Sequence, residues 1–355
     1  MHDSTPPAQK PVAKTDPSNA TVDFQQAIVR WFEKTGRSYP WRETTDPYAI
    51  LVSEIMLQQT QIGTVLDRQY YQRWLAQFPD VATLAQAEED AVLKAWEGLG
   101  YYRRARNLQK LAKEVVANHD GKMPTQTAGL LALPGIGRYT AGAVSSFAYN
   151  LSAPIVDGNV ARVFARLFDY QTEIDSTAGQ KQLWAWAENL VSSTNPRAYN
   201  SGLMELGQQV CTQKNPTCTE CPVNMFCQTT KPDGLPNKTQ RRATIVQDEH
   251  VLFARRDGML LLAQEQGKRR QGLWKLPERS LTELEGGAAN LVYKAKYAIT
   301  HYRVTLHAYS GEDEALDGET WQAITEVSTL AMPAPYRKAV DHLLATEIDG
   351  FSLVG

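Results

Sequence analysis

The spacing of apolar residues divides this chain into a long helical part and a shorter part that contains strands. In "FQQAIVRWFEK" the apolar residues stand at positions 24, 27, 28, 31 and 32, which is the stripe of an amphipathic helix. Similar stripes recur to about residue 210 between short Pro/Gly breaks, and alternating β-branched segments are scarce there. Residues 21–228 are therefore predicted to be all-α.

The pattern changes after a polar segment at 229–244, which contains prolines and lysines and is predicted to be a linker. "EHVLFARR" and "GMLLLAQEQ" flank an Asp-Gly turn and predict a hairpin. "HYRVTLHAY" alternates with period two, and "PAPYRKAVDHLLATEI" predicts a closing helix. Residues 245–355 are therefore predicted to form a smaller α+β domain.

The composition is that of a globular protein with about two domains. The 355 residues are 43% hydrophobic and 21% charged, which argues against a largely disordered chain. Residues 1–20 contain prolines and no apolar core, so they are predicted to be a loose tail and not a secretory signal. No run is apolar enough to suggest a membrane span, and we expect a cytoplasmic monomer.

Positive charge is concentrated in one segment. The formal net charge is −2, so no global field indicates a polyanionic partner. The stretch "YYRRARNLQKLAK" at 101–113 nevertheless carries five basic residues and no acidic one. A solvated helix face and a nucleic-acid contact both explain such a run.

The four cysteines lie together at the end of the helical part, with the spacing C-x6-C-x2-C-x5-C. Four clustered thiols in a cytoplasmic protein indicate a metal site more readily than disulfides. Thiolates suit zinc or an iron–sulfur cluster, and the spacing alone leaves both open. Four thiolates leave no open coordination position, so the predicted role is structural. The candidate ligands are Cys211, Cys218, Cys221 and Cys227.

The segment "LPGIGRYTAGAV" predicts a turn that can hold a phosphate. Gly135 and Gly137 permit positive φ and close backbone approach just before a helical run. The start of that helix exposes unpaired N–H groups to an anion. The pattern looks like the hairpin of a helix-hairpin-helix, which grips DNA phosphates without reading bases. A plain glycine-rich helix–helix turn is the alternative.

Two carboxylates are predicted to lie in different environments. Asp157 stands before a helical run in "APIVDGNVARVFARL", where an N-cap position would keep its pKa low. Glu54 is the only charged residue between Pro47 and Leu66, so a closed pocket around it would raise its pKa. A protonated acid beside an ionised carboxylate is the pair needed to cleave a glycosidic bond.

Taken together, these motifs resemble the adenine-specific mismatch DNA glycosylases of the MutY family. The resemblance covers residues 31–227 through "SEIMLQQTQ", "GLGYYRRARNL", "LPGIGRYTAGA", "VDGNVARV" and the four-cysteine loop, in the family's order. It implies a helix-hairpin-helix glycosylase domain, a 4Fe–4S cluster on the four cysteines, and a Nudix-like lesion-recognition domain after the linker. The implied partner is double-stranded DNA with adenine opposite 8-oxoguanine or guanine.

The resemblance also implies roles for residues near the two carboxylates. Glu54 matches the general acid that protonates adenine N7, and Asp157 matches the carboxylate that stabilises the sugar cation. Asn159 matches a neighbour that orients the site. Tyr139 occupies the position of a Schiff-base lysine in the related endonuclease III-like enzymes. A phenol cannot form a Schiff base, so we expect a monofunctional glycosylase in which Tyr139 positions the carboxylates.

Further positions match residues that contact DNA in the family. Arg37 and Trp41 match the lining of the adenine pocket, and Gln59 and Tyr101 match residues that enter the base stack at the lesion. For the two aromatic residues, ordinary core packing is the alternative.

The second domain departs from its relatives at two places. "GLWKLPE" resembles a Nudix-like segment, but "RSLTELEGGAANL" lacks the carboxylates that would bind magnesium, so no pyrophosphohydrolase activity is expected. The family's Phe-Ser-His loop motif is matched here by Ile299-Thr300-His301, which keeps a hydroxyl and a ring donor. Thr300 and His301 are therefore candidate 8-oxoguanine contacts, with an ordinary strand end as the alternative.

The preferred function is a base-excision repair enzyme that hydrolyses the N-glycosidic bond of the mispaired adenine. One rival is a bifunctional glycosylase/lyase that acts on oxidised pyrimidines. The other is a DNA-binding iron–sulfur protein without enzymatic activity, in which Glu54 and Asp157 would be dispensable.

Overall fold

The computed structural model describes residues 14–240, 242–267, 270–287 and 289–350, with side chains up to residue 346. Most of the tail predicted at 1–20 therefore lies outside the described residues. Contacts divide the chain into two compact units. The first contains the chain up to Ile55 together with Met123–Gln240, and the second contains Met56–Lys122 together with the chain beyond Gln240. This division differs from the sequence-based boundaries, because part of the helical region belongs to the second unit.

The helical prediction for residues 21–228 is confirmed, since that region contains α-helices, short 3-10 turns and no strand among its residues, all of which the structure describes. The α-helices of the described chain are α1 Thr21–Thr35, α2 Pro47–Met56, α3 Ile62–Asp67, α4 Tyr70–Gln77, α5 Val81–Gln86, α6 Glu89–Ala95, α7 Arg103–Asn118, α8 Thr127–Ala132, α9 Arg138–Tyr149, α10 Gly158–Leu167, α11 Thr177–Leu190, α12 Pro196–Gln209, α13 Leu281–Gly286 and α14 Ala334–Gly350. The strands are β1 Ile245–Phe253, β2 Arg255–Arg256, β3 Met259–Gln264, β4 Trp274–Lys275, β5 Asn290–Ile299, β6 Tyr302–Ser310 and β7 Glu319–Ala323.

In the first unit, α1, α10 and α12 pack around one apolar core that includes Phe24, Ile28 and Phe164. The close approach of α1 and α12 depends on Gly202, because a Cβ there would lie 2.6 Å from a methyl carbon of Ile28. Helix α10 presents its apolar side to this core, which fixes the direction of its N-terminus. That N-terminus carries Asp157.

The helix-hairpin-helix is formed by α8, a short turn and α9. Gly135 in the turn has φ +79°, a conformation that glycine adopts without steric cost. Gly137 is the N-cap of α9 and offers no capping side chain, so no side-chain hydrogen bond covers the first turn of that helix. The turn therefore sets the direction of α9 and the position of Tyr139 in its first turn.

The second unit contains α3–α7 and the predicted α+β domain. Strand β6 pairs in parallel with β1 and antiparallel with β5, while β3 pairs with β2, β4 and β7. The predicted Asp-Gly hairpin is confirmed: Arg256 pairs with Met259, and Asp257 and Gly258 have φ of 49° and 74°. The closing helix is α14, which packs on β5.

Two segments predicted to be loose are packed in the first unit. Thr15, within the predicted tail, donates its N–H to the Met225 carbonyl at 3.2 Å, and Pro17 is buried. In the predicted linker, Leu235 is 5% exposed and its carbonyl accepts from Arg166 at 3.0 Å. The contacts that hold the described part of the predicted tail and the predicted linker come from residues far away in the sequence, which a local composition of prolines does not reveal. No helix within the described ranges is long and apolar enough to cross a membrane.

Candidate active site

Glu54 lies near the end of α2 with its side chain turned into the first unit. It is 5% exposed, and its helical neighbours Ile50 and Leu51 are almost fully buried. The pKa of Glu54 is raised from 4.5 to about 7: burial raises it most and the Asp157 charge adds to the rise, while a hydrogen bond from Tyr139 and the charge of Arg42 partly offset these effects. The raised pKa predicted from the charge-free sequence around Glu54 is confirmed. The residue can carry a proton near neutrality.

Tyr139 is the hydrogen-bond partner of Glu54. Its hydroxyl donates to Oε2 of Glu54 at 2.6 Å, although 85 residues separate the two in the sequence. Burial and the two carboxylates beside it raise the pKa of Tyr139 well above its usual value. The phenol therefore remains a proton donor to the carboxylate at any ordinary pH. It fixes the orientation of the Glu54 carboxyl.

Asp157 is the N-cap of α10, as predicted. Its carboxylate accepts hydrogen bonds from the backbone N–H groups of Asn159 and Val160 at 2.9 and 2.7 Å, and from the Asn159 side-chain amide at 2.9 Å. The predicted low pKa is wrong in direction. Burial raises the pKa of Asp157, and this outweighs the hydrogen bonds and the charge of Arg162, which lower it. The capping argument accounted for the hydrogen bonds but not for the desolvation of this partly buried carboxyl group.

The two carboxyl groups nevertheless differ in a chemically useful way. Asp157 accepts three hydrogen bonds that favour its ionised form, whereas Glu54 accepts one from Tyr139. Because the Asp157 charge raises the pKa of Glu54, the two groups titrate as a pair. The hydrogen bonds thus favour the anion of Asp157, whereas the raised pKa of Glu54 lets that group keep a proton near neutrality.

Asn159 is held from two sides. Its side-chain oxygen accepts from Arg162 at 2.9 Å, and its amide donates to Asp157. A Cβ at Gly207 would lie 2.6 Å from the Asn159 Cβ, so α12 approaches this residue as closely as a glycine permits. Arg162 also donates to the carbonyls of Gly207 and Cys211, at 2.6 and 2.7 Å. These contacts fix Asn159, and through it the Asp157 carboxylate.

A second cluster of polar side chains lies around Glu205 of α12. The side chain of Glu205 is fully buried. Arg37 donates to its Oε1 at 2.6 Å, and Arg42 donates to its Oε2 at 2.8 Å. Burial alone would raise the pKa of Glu205, but the hydrogen bonds and charges of the two arginines outweigh it and lower that pKa. Trp41 is 7% exposed and stacks on Tyr39 at 5.2 Å between ring centroids. The burial of Trp41 fits the core-packing alternative. Arg37, which precedes Trp41 by four residues in the sequence, binds Glu205.

Gln59 and Tyr101 lie in the second unit, each in a short loop and each with positive φ, 57° and 48°. Gln59 is exposed, and Tyr101 is 50% exposed. Core packing is therefore excluded as the explanation for Tyr101. A positive φ at a residue with an aromatic side chain costs the free protein conformational free energy, and half of the ring is left exposed. This favours a role for Tyr101 in contact with a partner.

The basic run that follows Tyr101 does not form one solvated face. Arg103, Lys110 and Lys113 are exposed on α7, but Arg104 is only 9% exposed. Arg106 donates to Glu89 at 2.6 Å. Only part of this run is therefore available to a polyanion.

Thr300 and His301 form the turn between β5 and β6. Ile299 pairs with Tyr302, and Thr300 has φ 54° at the exposed tip. The His301 ring lies 4.3 Å from the Tyr302 ring, and its carbonyl accepts from the Ile245 N–H. Both side chains are accessible, so the turn can serve as a strand connection and as a contact surface.

The four cysteines are free thiols in a loop that follows α12. Burial and, to a smaller extent, the charges of the other three thiols together raise the pKa of Cys221 to about 12, so the four sulfur atoms lie near one another. Within the described residues, however, no three His, Cys, Asp or Glu side chains are placed to hold a single metal ion. Buried Arg166 anchors the loop by donating to the carbonyls of Thr212 and Gln213. Four thiols in one loop offer soft donors of the kind that bind zinc or an iron–sulfur cluster.

Sequence reasoning did not identify Arg42, Arg162 and Glu205. Glu205 carries one detectable signal, since it is an acid within the apolar stripe of α12 in "SGLMELGQQ". The two arginines have no such signal, because their partners come from distant segments.

Comparison with known proteins agrees with this geometry. Residues 52–189 match the model of the HhH-GPD superfamily base excision DNA repair proteins. A solved thermostable thymine-DNA glycosylase is 31% identical, with a TM-score of 0.54 over 60% of this chain and 98% of its own. The chain therefore belongs to the HhH-GPD superfamily of base excision DNA repair proteins.

Within that superfamily, the relatives point to one branch. The adenine DNA glycosylase of Homo sapiens is 42% identical over 214 residues, which are 58% of this chain and 39% of the relative. That of Buchnera aphidicola subsp. Baizongia pistaciae is 39% identical over 208 residues, 58% of each protein. The chain thus spans less than two thirds of these curated relatives. The resemblance to adenine-specific glycosylases is confirmed at the level of the sequence.

Proposed function

We propose that the protein is a monofunctional adenine DNA glycosylase that acts on adenine paired with 8-oxoguanine or guanine in double-stranded DNA. The observation that carries this proposal is the pair formed by buried Glu54 and partly buried Asp157, with Tyr139 donating to Glu54 at 2.6 Å. The pair supplies one proton donor and one carboxylate that ionises more readily. These are the two groups that glycosidic hydrolysis requires.

In the proposed reaction the adenine first leaves the base stack and enters the first unit. Glu54 transfers its proton to adenine N7. The bond between C1′ and N9 then breaks, and its electron pair stays with the base. Asp157 stabilises the positive charge that develops on the sugar, as an ion or through a transient covalent bond to C1′. Water adds to C1′ and loses a proton, which restores a neutral sugar and a protonated Glu54.

Several side chains position these two groups. Tyr139 orients Glu54, and Asn159 orients Asp157 through the amide hydrogen bond of 2.9 Å.

Arg37 and Trp41 line the adenine pocket in this proposal, and Glu205 holds the guanidinium of Arg37 at 2.6 Å. Gly135 and Gly137 let the hairpin approach a backbone phosphate at the start of α9. Gln59 and Tyr101 fill the space that the extruded base leaves.

The monofunctional assignment follows from the chemistry of Tyr139. A lyase step requires an amine that forms a Schiff base with the sugar, and a phenol has none. We expect no covalent enzyme–DNA product after borohydride treatment of the complex. Trapping at the level of an endonuclease III-like enzyme would favour the bifunctional rival.

The C-terminal domain is proposed to sense 8-oxoguanine through Thr300 and His301. The tip of this turn supports the proposal, since Thr300 is exposed and His301 beside it is partly exposed. Replacing both residues with alanine should reduce the preference for 8-oxoguanine over guanine opposite adenine. Thr282→Ala, which removes another exposed hydroxyl of this domain, is the matched control. Unchanged discrimination in the double variant would remove this turn from the mechanism.

A 4Fe–4S cluster is proposed on Cys211, Cys218, Cys221 and Cys227. The four converging thiols and the Arg166 anchor support it. The cluster would cross-link the end of the helical region and hold the loop that begins at Cys211. Arg162 links that loop to the active site, because it contacts both the Cys211 carbonyl and Asn159.

The test compares base release from duplexes that differ in one base. Adenine is placed opposite 8-oxoguanine, guanine or thymine with identical flanking sequence, and release is followed under single-turnover conditions. The wild type should act on the first two and much less on the third. Glu54→Gln should bind DNA but release adenine at least about a hundredfold more slowly. Glu33→Gln, at an exposed position of α1, is the control.

Two outcomes would refute the proposal. Release by Glu54→Gln at the wild-type rate would show that the carboxyl group is dispensable for the reaction. Release from all three duplexes at one rate would show that the mismatch is not recognised.

A further inference from the structure

Arg104 connects the two loops that carry Gln59 and Tyr101. It belongs to the first turn of α7, and although it stands in a run of basic residues it is only 9% exposed. Its Nη1 donates to the carbonyls of Met56 and Gln58, at 3.0 and 2.6 Å. One edge of the guanidinium is therefore occupied by the loop that contains Gln59.

The other guanidinium nitrogen reaches the second loop. Nη2 of Arg104 donates to the carbonyls of Leu99 and Gly100, at 3.0 and 3.2 Å, and lies 3.4 Å from the Thr60 hydroxyl. The guanidinium carbon lies 5.6 Å from the centre of the Tyr101 ring. One planar cation thus binds the main-chain carbonyls that immediately precede two exposed side chains, Gln58 before Gln59 and Gly100 before Tyr101.

The backbone of both loops explains why such a connection is needed. Gln59, Gly98, Gly100 and Tyr101 all have positive φ. Two of them are not glycines, so their conformation is unfavourable unless the surroundings impose it. Carbonyl groups fixed by a buried cation impose it on both loops at once. Trp96 assists, since its ring packs under the guanidinium at 5.3 Å and its Nε1 donates to Gly100 at 3.1 Å.

We propose that Arg104 is a positioning residue that holds Gln59 and Tyr101 in one rigid arrangement, so that both enter the DNA base stack together when adenine is extruded. This inference rests on the proposed glycosylase function. The guanidinium is not a DNA ligand in this role. It acts through the two loops, and its planar set of donors is essential because an ammonium group cannot reach acceptors on two sides.

Arg104→Lys tests the role, with Arg103→Lys as the matched control at the exposed neighbouring position. Two substrates are compared in single turnover. The first is a fully paired duplex with adenine opposite 8-oxoguanine. The second has mismatched pairs on both sides of the adenine, so the base is already unstacked and extrusion requires little work. A 2-aminopurine beside the adenine reports unstacking by its fluorescence.

Arg104→Lys should slow unstacking and adenine release in the paired duplex by roughly tenfold to a hundredfold. In the mismatched duplex it should release adenine at a rate close to that of the wild type, with an unchanged pH profile. Arg103→Lys should match the wild type on both. An equal defect on both duplexes would indicate general damage to the fold, and no defect on the paired duplex would show that the connection is dispensable. Either result overturns the proposal.

A double-mutant cycle separates an action through the loops from an independent effect. When Gln59 and Tyr101 are both replaced by alanine, adding Arg104→Lys should change the unstacking rate no further. Additive effects would contradict the proposal. If the wild type itself releases no adenine from the paired duplex, the proposed function fails, whereas the fluorescence still reports whether the loops unstack DNA.

A measurement on the wild type covers the case in which Arg104→Lys does not fold. Hydrogen exchange is followed at the amides of Thr60 and Leu99, which donate to Leu57 and Trp96 within the two loops. If Arg104 holds both loops, the two loops should open together, and the two amides should exchange with the same free energy of opening. Independent opening of the two loops would overturn the proposal.

Discussion

The raised pKa of Glu54 has a consequence for stability that a single substitution can measure. In the folded protein the carboxyl has a pKa of about 7, compared with 4.5 when it is unperturbed. Each pKa unit corresponds to about 1.4 kcal/mol, so the ionised side chain costs the fold roughly 3 kcal/mol. Glu54→Gln has nearly the same shape as the protonated acid and does not titrate. It should therefore avoid this cost.

The sign of the effect depends on pH. Below about pH 4.5 the carboxyl is protonated in both the folded and the unfolded state. The wild type then bears no cost of a buried charge, and its free energy of unfolding is at its highest as far as Glu54 is concerned. Between pH 4.5 and 7 the unfolded chain releases a proton that the folded protein keeps, so wild-type stability falls as pH rises. Above about pH 7 the loss is complete. Relative to the wild type, Glu54→Gln should gain about 3 kcal/mol between pH 4 and pH 8.

Urea unfolding at half-unit pH intervals measures this difference. The comparison of variant and wild type at each pH cancels the titration of all other groups to first order. Glu33→Gln, at an exposed position, should follow the wild type throughout. A difference between Glu54→Gln and the wild type that stays constant from pH 4 to pH 8 would show that Glu54 is not held in a desolvated environment, and would refute the argument from burial.

Three further predictions concern the same structure. Tyr139→Phe removes the hydrogen bond that lowers the pKa of Glu54, so the pH above which adenine release slows should move to a higher value; a shift of that pH to a lower value would contradict this. Gly207→Ala places a Cβ 2.6 Å from the Cβ of Asn159 and should slow adenine release at least about tenfold. Gly63→Ala, whose Cβ would meet only a carboxylate oxygen at 3.6 Å, should retain the wild-type rate, and equal rates in both variants would argue against close packing at Asn159. The purified protein should contain about four iron atoms and four acid-labile sulfides per chain, and stoichiometric zinc by elemental analysis would favour the alternative metal.

Much of the fold could be predicted from local patterns in the sequence. The stripe in α1, the Asp257-Gly258 turn and the N-cap at Asp157 each depend on residues within a few positions of one another. Such features express backbone preferences and periodic burial, which a short window contains. The raised pKa of Glu54 could be predicted for the same reason, because an apolar helix around a single acid implies that its carboxyl group is shielded from water.

The remaining features arise from contacts between distant segments. The partner of Glu54 lies 85 residues away, and Glu205 is paired with Arg37 across 168 residues. The direction of the Asp157 pKa shift was missed because its N-cap hydrogen bonds are local, whereas its burial is produced by the whole unit. Arg104 was placed in a basic run with its exposed neighbours, and only the structure shows that its guanidinium lies inside.

The most direct test of the proposed chemistry is the pH dependence of adenine release from a duplex with adenine opposite 8-oxoguanine, measured in single turnover from pH 5 to pH 9. If Glu54 delivers the proton, the rate should fall about tenfold per pH unit above a pKa near 7. Glu54→Gln should lose this dependence together with most of the rate. A wild-type rate that stays constant or rises through pH 9 would contradict proton donation by Glu54.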